Sequence, residues 1–185
     1  MKKILLGLAA AAIFVIITFI GSYNAIVSKH EIITAKWAQV NNQLQRRNDL
    51  IPNLVNTVKG YADHEKSVFE AVTNARSQWA KAGSLEEKVK AASALDSALS
   101  RMLLVVENYP DLKANETFLK LMDELSGSEN RIVVERMRYN EAVRDYNVTV
   151  RMFPGNMVAR IFGYRTASEY FAAEEKAKIV PEVKF

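Results

Sequence analysis

Ile4–Ile20 reads ILLGLAAAAIFVIITFI, and Gly21–Ser28 continues it as GSYNAIVS, so no residue from Ile4 to Ser28 is charged. A bilayer core is ~30 Å thick and takes ~20 apolar residues at ~1.5 Å rise each, which this stretch supplies. Lys2 and Lys3 precede it, and Tyr23 lies near its far end, where an amphipathic ring suits the membrane–water interface. A cleaved signal peptide is the rival reading, but the run exceeds the ~7–15 apolar residues of a usual signal core. Its end, GSYNA, puts Tyr23 or Asn24 where a cleavage site needs small side chains. Residues 1–22 therefore read as an uncleaved single-pass anchor, with the lipid bilayer as first partner. Lys and Arg near the two ends are close in number. The dense Lys2-Lys3 pair leans toward a body outside the cytoplasm.

Beyond the anchor, positions 26, 30, 33, 37, 40, 44, 47, 51, 54, 58, 61, 65, 68, 72, 75 and 79 read Ile, His, Ile, Trp, Val, Leu, Arg, Ile, Leu, Val, Tyr, Glu, Val, Val, Ala, Trp. Steps of four and three alternate throughout, the ~3.5-residue repeat of a coiled-coil seam. Pro52 lacks an N–H and its ring clashes with the preceding turn, but the phase survives it, which predicts a kink and not an end. The anchor and a helix over about 23–82 are thus one continuous object. Gly83 ends it, and Ser84-Leu-Glu-Glu87 is a capping-box pattern that opens a helix over about 85–107, with Leu85, Val89, Ala92, Leu99, Met102 and Val106 on one face. Asn108-Tyr-Pro110 stops it. A further helix over about 115–152 carries Phe118, Met122, Leu125, Glu129, Ile132, Arg136, Tyr139, Val143, Tyr146, Val150 and Phe153 at the same spacing, with a weak point at Ser126-Gly-Ser128. Short helices are expected within 156–176, and 177–185 is a tail. The fold class is all-α: a transmembrane helix continuous with a long kinked helix in an antiparallel, coiled-coil-like bundle of three or four helices over 23–176.

Lengths then predict an interface. The long helix beyond the anchor is ~90 Å, the next ~35 Å with a link of up to ~20 Å, and the last ~57 Å. In an up-down-up arrangement the later helices cover only the distal part of the first. Ile26, Ile33, Trp37, Val40 and Leu44 are left without cover from their own chain. A bare stripe of that length predicts packing against a second copy, hence a homo-oligomer.

Charges on the seams read in two ways. Arg46, Arg47 and Asp49, beside Pro52, suggest a docking face for another membrane protein. Arg47 and Glu65 on the first seam, with Glu129 and Arg136 on the last, suggest buried polar groups that set helix register. With those helices parallel, separations of 18 and 7 residues do not match, so one cross-pair at most is expected.

Chemistry is otherwise sparse. The chain has no cysteine and two histidines, His30 and His64. His64-Glu-Lys-Ser-Val68 resembles the start of a zinc-protease helix but has valine where the second ligand belongs. No nucleophile–base arrangement and no phosphate-cradling glycine loop is visible, so no cofactor and no reaction are expected. With 25 Lys and Arg against 21 Asp and Glu, the net charge of +4 is small and spread out, which argues against nucleic acid.

Tyr23-Asn-Ala-Ile-Val27, Trp37, Gln45-Arg-Arg-Asn-Asp-Leu-Ile-Pro-Asn-Leu-Val55 and Val58-Lys-Gly-Tyr-Ala-Asp-His-Glu65 resemble the first helix of the LemA family. Glu107–Ala114, Phe118, Leu125, Glu129-Asn-Arg-Ile132, Arg138-Tyr-Asn140, Tyr146-Asn147 and Phe153-Pro154 resemble its second stretch. Ser128, where a threonine is usual, and Glu135, where a small residue is usual, depart from the pattern. The resemblance implies a bacterial single-pass protein of the cell (inner) membrane, a long-helix bundle and no established enzymatic activity. It also implies a cytoplasmic body, against the charge count, so the side of the body stays open. Together these readings point to a membrane-anchored scaffold that self-associates and organises membrane partners, with a monomeric adaptor as the alternative.

Overall fold

The chain reverses after Lys59, and that reversal sets the architecture. The computed structural model describes residues 1–62, 64–167 and 170–171. Its helices are α1 (Lys2–Lys59), α2 (Lys66–Lys81), α3 (Leu85–Val106), α4 (Pro110–Lys113), α5 (Glu116–Arg151) and α6 (Gly155–Phe162), with no strand among the described residues. Helix α1 runs through Pro52 and stops at Lys59, where Tyr61 and Ala62 both donate backbone N–H groups to the Val58 carbonyl. Glycine in a helix interior costs ~1 kcal/mol relative to alanine, so Gly60 is a cheap place to stop. The expected helix over 23–82 is therefore two helices, a correction to the sequence reading. The unbroken four-and-three spacing concealed the break. Leu54, Val58, Val72 and Ala75 of the expected stripe are buried, but through the reversal the buried positions shift by one, to Ala62 and Phe69, leaving Tyr61 exposed and Glu65 and Val68 half-buried.

The chain divides into two compact units, Gln39–Glu135 and a second made of Met1–Ala38 with Arg136–Phe185. In the Gln39–Glu135 unit, Arg76 Nε reaches the Asn48 carbonyl at 3.4 Å and Lys59 lies over the Phe69 ring, so α2 runs antiparallel to α1. Lys88 donates to Asn41 and Arg47 to Asp96, so α3 runs parallel to α1. Asn115 donates to Tyr61 and Arg47 to Glu129, so α5 runs antiparallel to α1. The result is an up-down-up-down bundle of four helices around Ile51, Leu54, Leu95, Leu99, Met102, Val106, Leu112 and Phe118. The first and last long helices, expected to be parallel, are antiparallel because the turn at Gly60 adds one reversal. The expected capping box opens α3: Ser84 Oγ accepts from Glu87 N–H, and Glu87 accepts from Ser84 and Gly83 N–H. Two backbone N–H groups hold the Glu87 carboxyl below its usual range. The link before α5 contains α4, and Asn115 Oδ1 accepts from Phe118 N–H to start α5. Helix α5 passes through Ser126-Gly127-Ser128 uninterrupted.

In the other unit, the start of α1 is bare: Ile4, Leu5, Leu6, Leu8, Phe14, Val15, Ile16 and Ile17 are all exposed. By length and composition, α1 can cross a membrane. Past Phe19 the helix acquires cover. Ile26 is fully buried with Tyr146, Val150, Val158 and Ala159, and Phe19, Tyr23, Ile33 and Tyr164 pack around them. Helix α6 ends at Gly163 (φ 77°), and Tyr164 N–H bonds the Ala159 carbonyl, a Schellman closure that suits glycine. The Phe153–Pro154 peptide bond is cis. Of the short helices expected over 156–176, α6 forms. Residues 168–169 and 172–176, with the 177–185 tail, lie outside the described residues.

Candidate functional site

The five residues assigned to a bare seam are covered by their own chain. Ile26, Val40 and Leu44 have exposures of 0, 0 and 1%. Ile33 is half-buried, and Trp37 is half-buried against Tyr139 (ring centroids 6.0 Å) and Phe171 (5.9 Å). The premise of a bare stripe is therefore corrected: three of its residues are buried and two half-buried within the chain. A helix unbroken to residue 82 would place the later helices too far from the anchor to cover these residues, but α1 ends at Lys59.

The Gln39–Glu135 unit contains a buried arginine. Arg47 is 1% exposed, and its Nη1 donates to Asp96 Oδ1 at 2.5 Å and Glu129 Oε1 at 2.7 Å. One guanidinium thus ties α1 to α3 and α5. Its Nε and Nη2, the neighbouring Asn48 Oδ1 and Trp79 Nε1 are enclosed without a protein hydrogen bond. Both carboxylates are about two-fifths exposed and keep part of their hydration, which lowers the cost of the arrangement. Such a cluster fixes which faces of three helices meet, since any slip strands a buried cation.

Of the polar positions singled out in the sequence, Arg47 and Glu129 meet and the others do not join them. Arg46 and Asp49 are exposed, Asp49 accepting from Gln45 at 2.7 Å. Glu65 sits at the start of α2, its carbonyl accepting from Val68 and Phe69 N–H. Arg136 lies over the Phe171 ring in the other unit. Asp96 was missed. Its signal was a gap, because it falls where the α3 stripe Leu85, Val89, Ala92, Leu99 lacks an apolar residue.

The anchor-bearing unit contains a site of a different kind. Asn140 and Asn147 lie two turns apart on α5. Asn147 donates to the Ala167 carbonyl at 2.7 Å and accepts from Ala167 N–H at 2.8 Å. Asn140 does the same with Phe171, both at 2.9 Å. Each amide satisfies both backbone groups of one residue, as a neighbouring strand would. Tyr146 donates to the Arg165 carbonyl at 2.9 Å, and burial pushes its hydroxyl pKa up. Asn147 also donates to the Tyr170 hydroxyl. Three α5 side chains therefore grip the backbone of Arg165, Ala167 and Phe171, which follow α6. The sequence reading used Asn140 and Asn147 only as marks of resemblance. An asparagine repeated after two turns signals a polar helix face without revealing what it holds. Nearby, Arg144 first and then Lys29, at 3.6 Å, hold the Asp145 carboxyl below its usual range.

No group of three His, Cys, Asp or Glu side chains suited to a metal occurs among the described residues.

These features define an all-α protein with, among the described residues, one helix of membrane-spanning length. The chain belongs to the LemA family, whose sequence model matches residues 36–185. It is similar to magnetosome proteins MamQ 2 and MamQ 1 of Paramagnetospirillum magneticum, each 30% identical over 84% of this chain and 66% of the relative. It is also similar to protein LemA of Metamycoplasma hominis, 23% identical over 84% of this chain and 72% of the relative. The chain thus spans 66% of the length of the MamQ relatives.

Proposed function

We propose that this chain is a membrane-anchored, non-catalytic helical adaptor of the bacterial cell membrane. The apolar start of α1 crosses the bilayer once, and the helical units hold another membrane protein in place. The observation that carries this reading is the change along α1. It is bare over Ile4–Ile17 and buried at Ile26, Val40 and Leu44, as expected of a helix that passes from lipid into protein. Similarity to proteins named for the magnetosome supports a structural role over substrate turnover.

Burial of the seam favours the adaptor over the self-associating scaffold, because the stripe that would have joined two copies is occupied. Self-association would need a different face. The exposed Arg46 and Asp49 remain a polar surface for a partner. Membranes from cells expressing the full chain should retain it through alkaline extraction, and release into the supernatant would refute the anchor. In detergent or nanodiscs the chain should be monomeric across concentration. A defined homo-oligomer would restore the scaffold reading. Cysteines at Ile33 or Val40 should give no disulfide-linked dimer, and a photocrosslinker at Arg46 should capture a membrane protein.

A further inference from the structure

We propose that the α5–α6 corner is a second membrane-contacting element, a wedge seated in the leaflet beside the anchor, with acyl chains filling the groove between them. The proposal rests on the reading of α1 as an anchor and extends it to residues that the anchor does not include.

Three observations within the anchor-bearing unit carry it. Phe153, Pro154 and Met157 share a groove of about 430 Å³ with Phe14, Val15, Thr18 and Phe19 of α1, and its lining is almost wholly apolar. Phe14 and Val15 lie inside the apolar stretch, ~12–14 Å along the helix from Tyr23. Whatever solvates this part of α1 must also solvate the corner. Phe153 is 77% exposed and Ile161 66%, with Met152 and Met157 also exposed, an apolar surface continuous with the bare helix.

Helix α6 is also divided lengthwise. Gly155, Val158 and Ala159 face the core. Of the exposed positions, Met157 and Ile161, one turn apart, lie on one flank, and Asn156 and Arg160, also one turn apart, on the other. A helix lying in the plane of the interface needs this pattern, with lipid on one flank and water on the other. Finally, Tyr146–Ala167 holds Arg151, Arg160 and Arg165, all exposed, and no Asp or Glu. Cations without acids suit anionic headgroups. Tyr23 packs against Phe162 (ring centroids 4.7 Å) and Tyr164 (6.2 Å), an aromatic cluster of the type found at a membrane–water boundary.

Gly155 makes this placement possible. A Cβ there would stand 2.1 Å from the Thr149 carbonyl oxygen, so only glycine lets α6 turn this closely against the end of α5.

The native chain has no cysteine, so single nitroxide labels at Asn156→Cys, Met157→Cys, Arg160→Cys, Ile161→Cys and Ile16→Cys test the wedge in the full chain. The probe is a liposome of phosphatidylethanolamine and phosphatidylglycerol, with relaxation by oxygen compared with relaxation by a water-soluble nickel chelate. The expected result is a several-fold higher oxygen-to-nickel ratio at 157 and 161 than at 156 and 160, with 16 also lipid-exposed. If 16 is lipid-exposed and 157 and 161 are as nickel-accessible as 156 and 160, the wedge is wrong and the anchor stands. If 16 is itself nickel-accessible, the anchor fails and the wedge fails with it. Low access to both relaxants at 157, with dipolar broadening between labels, would put a second copy on the face and overturn the proposal.

Discussion

The two units solve the same problem with opposite chemistry. The Gln39–Glu135 unit packs four helices around aliphatic side chains and fixes their register with a buried charge, Arg47 between Asp96 and Glu129. The anchor-bearing unit fixes its chain path with neutral groups, Asn140, Asn147 and Tyr146 holding the backbone of Phe171, Ala167 and Arg165. A charge is worth burying where three helices can surround it and two carboxylates remain partly wet. A segment without helical hydrogen bonds needs partners for its own N–H and C=O groups, and amides supply both. Charged residues therefore specify helix pairing in one unit, and amides specify a backbone path in the other.

The sharpest way to break this contrast is Arg47→Ala. It leaves Asp96 and Glu129 facing each other without the cation and opens a void. A loss of about 3 kcal/mol is expected, toward the low end for broken buried pairs because both acids are partly solvated. Urea unfolding would measure it. Replacing Arg47, Asp96 and Glu129 together with apolar residues should restore most of the stability. If the triple variant is as unstable as Arg47→Ala, the triad contributes stability and not only register.

Asn147→Ala comes next, with an expected cost of about 2 kcal/mol for the loss of two backbone partners. Hydrogen exchange at the Ala167 amide should accelerate, while the amides of α2 and α3 keep their protection. Acceleration at those helices as well would remove the contrast between the units. Gly155→Ala should cost ~1–3 kcal/mol, because α6 must move off the Thr149 carbonyl. Loss of the Tyr23–Phe162 contact by NMR would locate that movement.

The smallest effect concerns the start of α3. Ser84→Ala should cost about 1 kcal/mol, as for other N-caps. The Glu87 carboxyl is held low by backbone N–H groups, so its contribution is present above the ordinary carboxylate pKa and fades as pH falls through the lowered value. Glu87→Gln should lower the plateau of Tm near neutrality and flatten the acid limb, because the contribution of the ionised carboxyl is then missing at every pH. An unchanged acid limb would show that the cap does not govern acid sensitivity.

Much of this protein is legible in its sequence because helices announce themselves locally. The uncharged run Ile4–Ser28, the Ser84–Glu87 box, the stop at Asn108-Tyr-Pro110 and the uninterrupted stripe of α5 each depend on neighbours within a turn or two. Arg47 was legible as a seam residue, since a cation in an apolar stripe must find an acid. Asp96 was not, because its stripe was read from the apolar positions alone.

The sequence by itself determined an all-α chain, its membrane-length apolar helix and most of the buried face of each long helix, because those follow from composition and a period of about 3.5 residues, but Tyr61 and Phe153, beside chain reversals, were placed on a seam and are exposed. Only the tertiary structure decided where the chain reverses and hence what covers what. A stripe is buried equally well by a straight rod against another chain or by a hairpin against itself, and periodicity cannot tell these apart. The turn at Gly60 chose the second, reversed α5 relative to α1, and brought Arg47 to Glu129. Exposed surface lies at Arg46 and Asp49 and at Phe153, Met157 and Ile161, and not at Ile26, Val40 and Leu44.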